Sequence, residues 1–191
     1  MTAGRTNSRD KILDAAEEIV RERGATALTM DALAHMTGVG KGGVLYHFKL
    51  KVDLHKAMLE RHCQRWETQL KEDASQRGND DYAWLESFVD FGIHKQEIGE
   101  KSAVSIIAAA AEKPALLEPL RRTYARRLKR ALAHADDPYL VAIILLAIDG
   151  LTFFSGISAP QVDDAMRERI FRRMQLLIED MKSRQKDEQA P

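Results

Sequence analysis

The chain has 191 residues, with 29 Lys and Arg against 29 Asp and Glu, 45% hydrophobic residues and a single cysteine. Zero net charge excludes a uniformly basic coat for non-specific polyanion binding, so any nucleic-acid contact has to come from a local patch. Cys63 alone excludes an intramolecular disulfide framework and fits a reducing cytoplasm; no apolar run suits a signal peptide or spans a bilayer.

Residues 1–7 are small, polar and basic and read as a loose arm. A first helix is predicted over about Arg9 to Arg23, capped by Ser8 and closed by Gly24. Its residues Ile12, Ala15, Ala16, Ile19 and Val20 fall at i, i+3, i+4, i+7 and i+8, one stripe that has to pack on the helices after it. Thr29 is a good N-cap for the next helix, with Asp31 in its positive first turn. Leu33, Ala34 and Met36 supply its apolar face, and Gly38 stops it. A third segment, Lys41 to Phe48, follows at once. Two short helices joined by a turn containing Gly form a helix-turn-helix.

In that motif the second helix presents its N-terminal residues to base edges in the major groove. Here these are Gly40, Lys41, Gly42 and Gly43. Each glycine inside a helix costs about 1 kcal/mol, so close approach of backbone to DNA, or a first turn that orders on binding, has to justify them. Lys41 is the one long side chain there able to reach a guanine edge or a phosphate. Tyr46 and His47 can donate to phosphates, and Thr29 and Lys51 stand at helix starts suited to the same task. Val44 and Phe48 are expected in the core.

With the helix before it, this segment resembles the DNA-binding domain of the TetR family of transcriptional regulators. The resemblance rests on Ala15-Ala16, Gly24, Leu28-Thr29-Met30, Leu33-Ala34, Gly38-Val39, Lys41-Gly42, Tyr46-His47-Phe48 and Lys51, and covers roughly the first quarter of the chain. It implies phosphate contacts from Thr29, Tyr46, His47 and Lys51 and base reading by Val39, Gly40, Lys41, Gly42 and Gly43. Two positions depart from the family: Leu45 stands where many members carry tyrosine, and Gly43 where a polar residue is frequent.

A long helix is predicted over Lys51 to about Arg77, with Leu54, Met58, His62, Trp66 and Leu70 stepping by four. His62-Cys63 invites a metal or redox reading, but two soft ligands make no site and packing is the simpler role. Residues 76–81 form the clearest loop. Helices then follow over Tyr82 to about Ile98, Lys101 to Glu112, and Leu116 to about Ala135. The last has Leu117, Leu120, Tyr124, Leu128 and Leu132 on one face. Its other faces bear Arg121, Arg122, Arg126, Arg127, Lys129 and Arg130; a solvated face is the simpler reading, and an anionic effector or DNA is the alternative. Asp137-Pro138 opens a helix to about Ile157 that is apolar nearly all round and needs cover on every side. A final helix runs from about Gln161 to Lys186, ahead of a polar tail expected to be disordered. The last two helices, doubled by a twofold axis, would give a four-helix dimer interface, as the resemblance also implies.

No catalytic constellation, phosphate loop or dinucleotide fingerprint is present, and no cofactor or metal is called for. The reading is an all-α chain: a helix-turn-helix DNA-binding domain over residues 8–54 and a helical effector-binding and dimerisation domain over 55–187, joined by the long helix. It is expected to be a cytoplasmic, homodimeric repressor, released from a palindromic double-stranded operator by a small-molecule effector, with no membrane partner. Trp66, Trp84, Phe88, Phe91, Tyr124, Phe153 and Phe154 are candidate cavity walls, for each of which plain core is the simpler role, and Asp149 is an acid in an apolar helix that needs a partner, a nearby Arg before an effector. Two alternatives stay open: a transcriptional activator, and a helical ligand-binding or scaffold protein whose head no longer grips DNA.

Overall fold

Every described segment with an apolar repeat of three to four residues is helical, and no strand occurs among the described residues. The computed structural model describes residues 7–78, 81–94, 114–134, 137–156 and 162–189. The helices are α1 (Ser8–Arg23), α2 (Met30–Thr37), α3 (Lys41–His47), α4 (Lys51–Arg77), α5 (Asp81–His94), α6 (Glu118–His134), α7 (Pro138–Gly156) and α8 (Asp164–Gln189), with short 3₁₀ turns at Ala25–Ala27 and Pro114–Leu117. The helix expected over Lys101 to Glu112 lies outside the described residues. The chain forms two compact units, one holding residues up to Cys63 with 114–121, the other residues 64–94 and from Arg122 onward.

The first unit is built on α1. Its cap is Asn7, whose Oδ1 accepts from the Arg9 amide at 3.3 Å, so Ser8 is the first helical residue rather than the cap. Gly24 closes the helix at φ 80°, its N–H bonded to the Val20 carbonyl at 2.9 Å. The apolar stripe of α1 is buried against Leu28, Leu33, Val44 and Phe48, and Leu54, Ala57, Met58 and Leu59 of α4 complete the core. Each such side chain taken from water contributes roughly 1.5–3 kcal/mol, which is what holds helices this short together. Arg61 ties α4 to α1: Nη1 lies 2.7 Å from Asp14 Oδ1, and Nε donates to Glu17 Oε1 at 2.8 Å. Met36, expected on the buried face of α2, is half exposed; Thr37 takes the inward position.

The second unit centres on α5, which packs on both α7 and α8. Leu85, Phe88 and Val89 meet Val141, Ile144 and Ile148 of α7 and Met174, Ile178 and Met181 of α8. Gly92 permits the α5–α7 crossing, because a Cβ there would collide with Ile148 Cγ2. Asp137 caps α7 by accepting from the Leu140 amide at 2.9 Å, and Asp163 caps α8 by accepting from Met166 at 2.7 Å. The final helix therefore starts at Asp164, and it continues to Gln189, beyond the Lys186 expected. Exposed i,i+4 pairs such as Arg184–Asp180, at 2.6 Å, carry its polar end.

On α6 the two faces are exchanged relative to the sequence reading. Thr123, Arg127 and Ala131 point inward, while Tyr124, Leu128 and Leu132 are more than a third exposed. Both lines step by four, so spacing does not separate them; the inward line wins because it offers two small residues and a guanidinium with aromatic faces to stack on.

Candidate nucleic-acid interface and ligand cleft

The α2–turn–α3 corner is fixed by local bonds. Thr29 Oγ1 accepts from the Ala32 amide at 3.1 Å and starts α2. Gly38, at φ 67°, ends it with an N–H bonded to the Ala34 carbonyl at 3.0 Å. The buried Thr37 hydroxyl donates to the Leu33 carbonyl at 2.6 Å and accepts from the Val39 amide at 3.2 Å, pinning the turn on both sides. Gly40 begins α3 with no side-chain cap, its carbonyl accepting from Val44 N at 3.1 Å. Val44 and Phe48 are buried, as their spacing predicts, and the Arg9 guanidinium lies 5.4 Å from the Phe48 ring centroid.

These bonds leave a row of residues facing solvent. Thr29, Gly40, Lys41, Gly42, Tyr46 and Lys51 are exposed, and Val39, Gly43 and His47 are half-buried. Tyr46 is 82% exposed, its ring edge-on to that of His47 at 5.2 Å. Apart from that ring contact, no described residue holds the Tyr46 side chain, and its hydroxyl is open to an incoming group. Lys41 Nζ pairs with Asp31 Oδ1 at 2.8 Å, a partner the sequence reading did not foresee. Both groups are largely exposed, so the pair is worth little and can open. Exposed Lys49, beside Lys51, is a further cation that reading passed over. Asp53 Oδ2 accepts from the Leu50 amide at 3.1 Å, the reach-back half of a capping box, and so fixes Lys51 at the first position of α4.

The three glycines differ. A Cβ at Gly43 would sit 2.7 Å from Val39 Cγ1, so a larger residue there would have to displace the Val39 side chain. Gly40 and Gly42 face open space. Nothing inside the head demands their bareness.

In the second unit, Trp66 packs edge-on against Phe88 at 5.2 Å and Phe91 at 4.9 Å, and Trp84 lies 5.5 Å from Phe88. The Arg127 guanidinium sits among these rings, 4.2 Å from the Trp66 centroid, 5.5 Å from Phe88 and 5.7 Å from Tyr124. Its Nη1 is 4.0 Å from Asp149 Oδ1. Burial pushes the Asp149 carboxyl up to about 6, against the opposing pull of Arg127 and of a hydrogen bond from the Tyr124 hydroxyl. Phe154 is half exposed, and the Phe153 side chain lies outside what the structure describes. Beside this cluster, a cleft of about 490 Å³ opens between α4, the start of α5 and α6, with Trp84 in its wall. Cys63 is buried, and no helix among the described residues is long and apolar enough to cross a membrane.

Comparison with known proteins decides the family. The model described as bacterial regulatory proteins, tetR family, matches residues 12–58, and that of the tetracyclin repressor-like C-terminal domain matches residues 82–179, more than half of the chain. The chain belongs to the TetR family. Proteins of that family are DNA-binding transcription factors, not enzymes. Similar regulators include one encoded in the lacX 3′ region of Lactococcus lactis subsp. lactis, uncharacterized, 27% identical over 85 residues, which span 44% of this chain and 43% of that one. QacR of Staphylococcus aureus (strain Mu50) is 33% identical over 67 residues, 35% of this chain and 36% of its own. The activator FasR of Mycolicibacterium smegmatis is 40% identical over 58 residues, 30% of this chain and 26% of its own. The match thus spans less than half the length of each of these regulators. Among solved TetR-like folds, a transcriptional regulator from Rhodococcus sp. Rha1 superposes with a TM-score of 0.72 at 20% identity, covering 92% of this chain and 96% of that one. The multidrug binding protein EbrR in complex with ethidium superposes at 0.67 and 20% identity, covering 90% and 99%.

Proposed function

We propose that this chain is a homodimeric, ligand-responsive repressor that binds an approximately palindromic operator through residues 8–54 and senses a small molecule through residues 55–187. The observation that carries the DNA assignment is the exposed row along α2, the turn and α3. In that assignment Thr29, Tyr46, His47 and Lys51 hold phosphates, and Val39, Gly40, Lys41, Gly42 and Gly43 face the bases. Open space at Gly40 and Gly42 supports it, since bare backbone admits the duplex where the fold itself asks for nothing. On approach, Lys41 exchanges Asp31 for the far denser charge of the DNA backbone.

Dimerisation is supported by apolar side chains that α7 and α8 leave in water. Tyr139, Ile143 and Leu146 follow one another at i, i+4 and i+7 on α7 and are 78%, 61% and 69% exposed. Met166 and Leu176 of α8 are about half exposed. A second copy covering both helices through a twofold axis would remove them from water. An activator using the same DNA contacts is the second reading, favoured by the match of residues in this chain to FasR, which is described as an activator. Effector binding to Trp66, Trp84, Phe88, Phe91, Tyr124, Asp149 and Phe153 would act by favouring one pose of the two heads over another, so effector and operator weaken each other reciprocally.

Nuclease footprinting of the protein on the DNA upstream of its own coding sequence tests this. Two protected half-sites, centred about one helical turn apart and related by a twofold, are expected. No protection even at low salt, where phosphate contacts are strongest, would leave a helical binding protein without a DNA partner.

A further inference from the structure

The cleft between α4, α5 and α6 carries a charge pattern that specifies a ligand class. Its floor is apolar, from Leu70, Ala74, Ala83 and Trp84. Around that floor stand four cations, Lys71, Arg126, Arg127 and Arg130, with Glu67 the one carboxylate among the described lining residues. Glu67 pairs with Arg126 at 2.9 Å, and Arg127 is drawn to Asp149 behind the wall. Lys71 and Arg130 have no carboxylate partner among the described residues.

The aromatic surface argues in the same direction. The Trp66 face is covered by Arg127, and Trp84 by Arg130 at 5.1 Å from its centroid. An organic cation entering the cleft would find the Trp84 face already stacked by Arg130 and would face like charges. A stacked guanidinium, by contrast, uses only its face and keeps its in-plane N–H donors available to an anion. The volume, about 490 Å³, falls in the range of about 300–1,000 Å³ usual for small-molecule sites.

We infer that the cleft binds an amphiphilic anion, with its carboxylate or phosphate head held between Lys71 and Arg130 and its apolar body laid over Leu70, Ala74 and Trp84. The inference rests on reading the second unit as effector-binding, and it narrows that reading to one chemical class.

Isothermal titration calorimetry of the full chain with decanoate and with decyltrimethylammonium, both kept below micelle formation, compares one apolar tail under two opposite heads. The expected result is decanoate binding at least about tenfold tighter than the cation. In a Lys71→Gln, Arg130→Gln double variant, decanoate should weaken by about tenfold or more and the cation should not. Arg127 is left in place because its loss would also strip a buried cation from the aromatic cluster. Circular dichroism confirms that the exposed double variant is folded. A cation bound as tightly as decanoate, or decanoate binding untouched by the double substitution, overturns the inference. DNA binding is measured on the same preparations. If decanoate binds with this preference while DNA binding is absent or insensitive to it, the ligand class stands and the regulatory reading falls.

Discussion

Replacing Asp149 by Asn should stabilise this protein at neutral pH, although the substitution breaks an ion pair. Asp149 lies beside Arg127 within an aromatic cluster, yet the desolvation of its carboxylate outweighs the attraction, and its pKa stands at about 6 instead of 3.8. The unfolded chain releases this proton near pH 3.8, whereas the folded chain holds it until about pH 6. Between those values the folded state binds more protons, so stability falls as pH rises and stays low above pH 6. At about 1.4 kcal/mol per pH unit, the gap between 3.8 and about 6 makes the charged carboxylate cost about 3 kcal/mol at pH 7.5. Asparagine keeps the size and the acceptor for Tyr124 and carries no charge. Urea unfolding, followed by circular dichroism at one fixed protein concentration, should show Asp149→Asn more stable by about that amount at pH 7.5. About half of the gain should be gone by pH 5 and about four-fifths of it by pH 4. A variant less stable than the parent at pH 7.5, or a difference independent of pH, would show that the pair with Arg127 dominates and would refute the reasoning.

Other substitutions probe the head and the second core. Gly42→Ala adds a methyl into open space and should raise the melting temperature, by up to about 1 kcal/mol of stability, while lowering DNA affinity. Unchanged affinity would remove the close-approach role for that glycine. Gly43→Ala should gain no stability, because its Cβ meets Val39 Cγ1, and the additional change Val39→Ala should restore the gain in a double-mutant cycle. Gly92→Ala forces a methyl into Ile148 and should destabilise the second unit by about 1–3 kcal/mol in denaturant unfolding. Arg61→Ala leaves Asp14 and Glu17 without their shared cation and should cost about 2 kcal/mol of head stability, visible as faster hydrogen exchange in α1.

How much of this was legible depends on whether the cause is local. Thr29 as cap, Gly38 as stop, Asp137 before Pro138 and the bounds of α4 are set by hydrogen bonds spanning three or four residues, and each is read correctly from neighbouring letters. The family resemblance rests on the same stretch, and the family models match residues 12–58 and 82–179. Caps with rival candidates slip by a residue, as Asn7 replaces Ser8. The inward turn of Arg127 is a different matter. Hydropathy ranks Leu128 and Leu132 above an arginine, and only the rings of α4 and α5 make a guanidinium the better filling. The cationic cleft was legible only as a cluster of arginines on one helix, because Lys71 and Glu67 reach it from another. For Gly43 the sequence offers close approach to DNA or a first turn that orders on binding; the Val39 side chain, which a Cβ there would meet, is a tertiary reason the letters do not show.

The most direct test is the affinity of a Tyr46→Ala, His47→Ala double variant for the footprinted DNA, measured by fluorescence anisotropy beside sedimentation of the same sample. Tyr46 is 82% exposed, so the variant should fold and dimerise as the parent does. Losing two phosphate donors worth roughly 1.5–3 kcal/mol each should weaken binding by about a hundredfold or more. Parent-like affinity in a folded dimer would contradict the assignment of this corner to DNA.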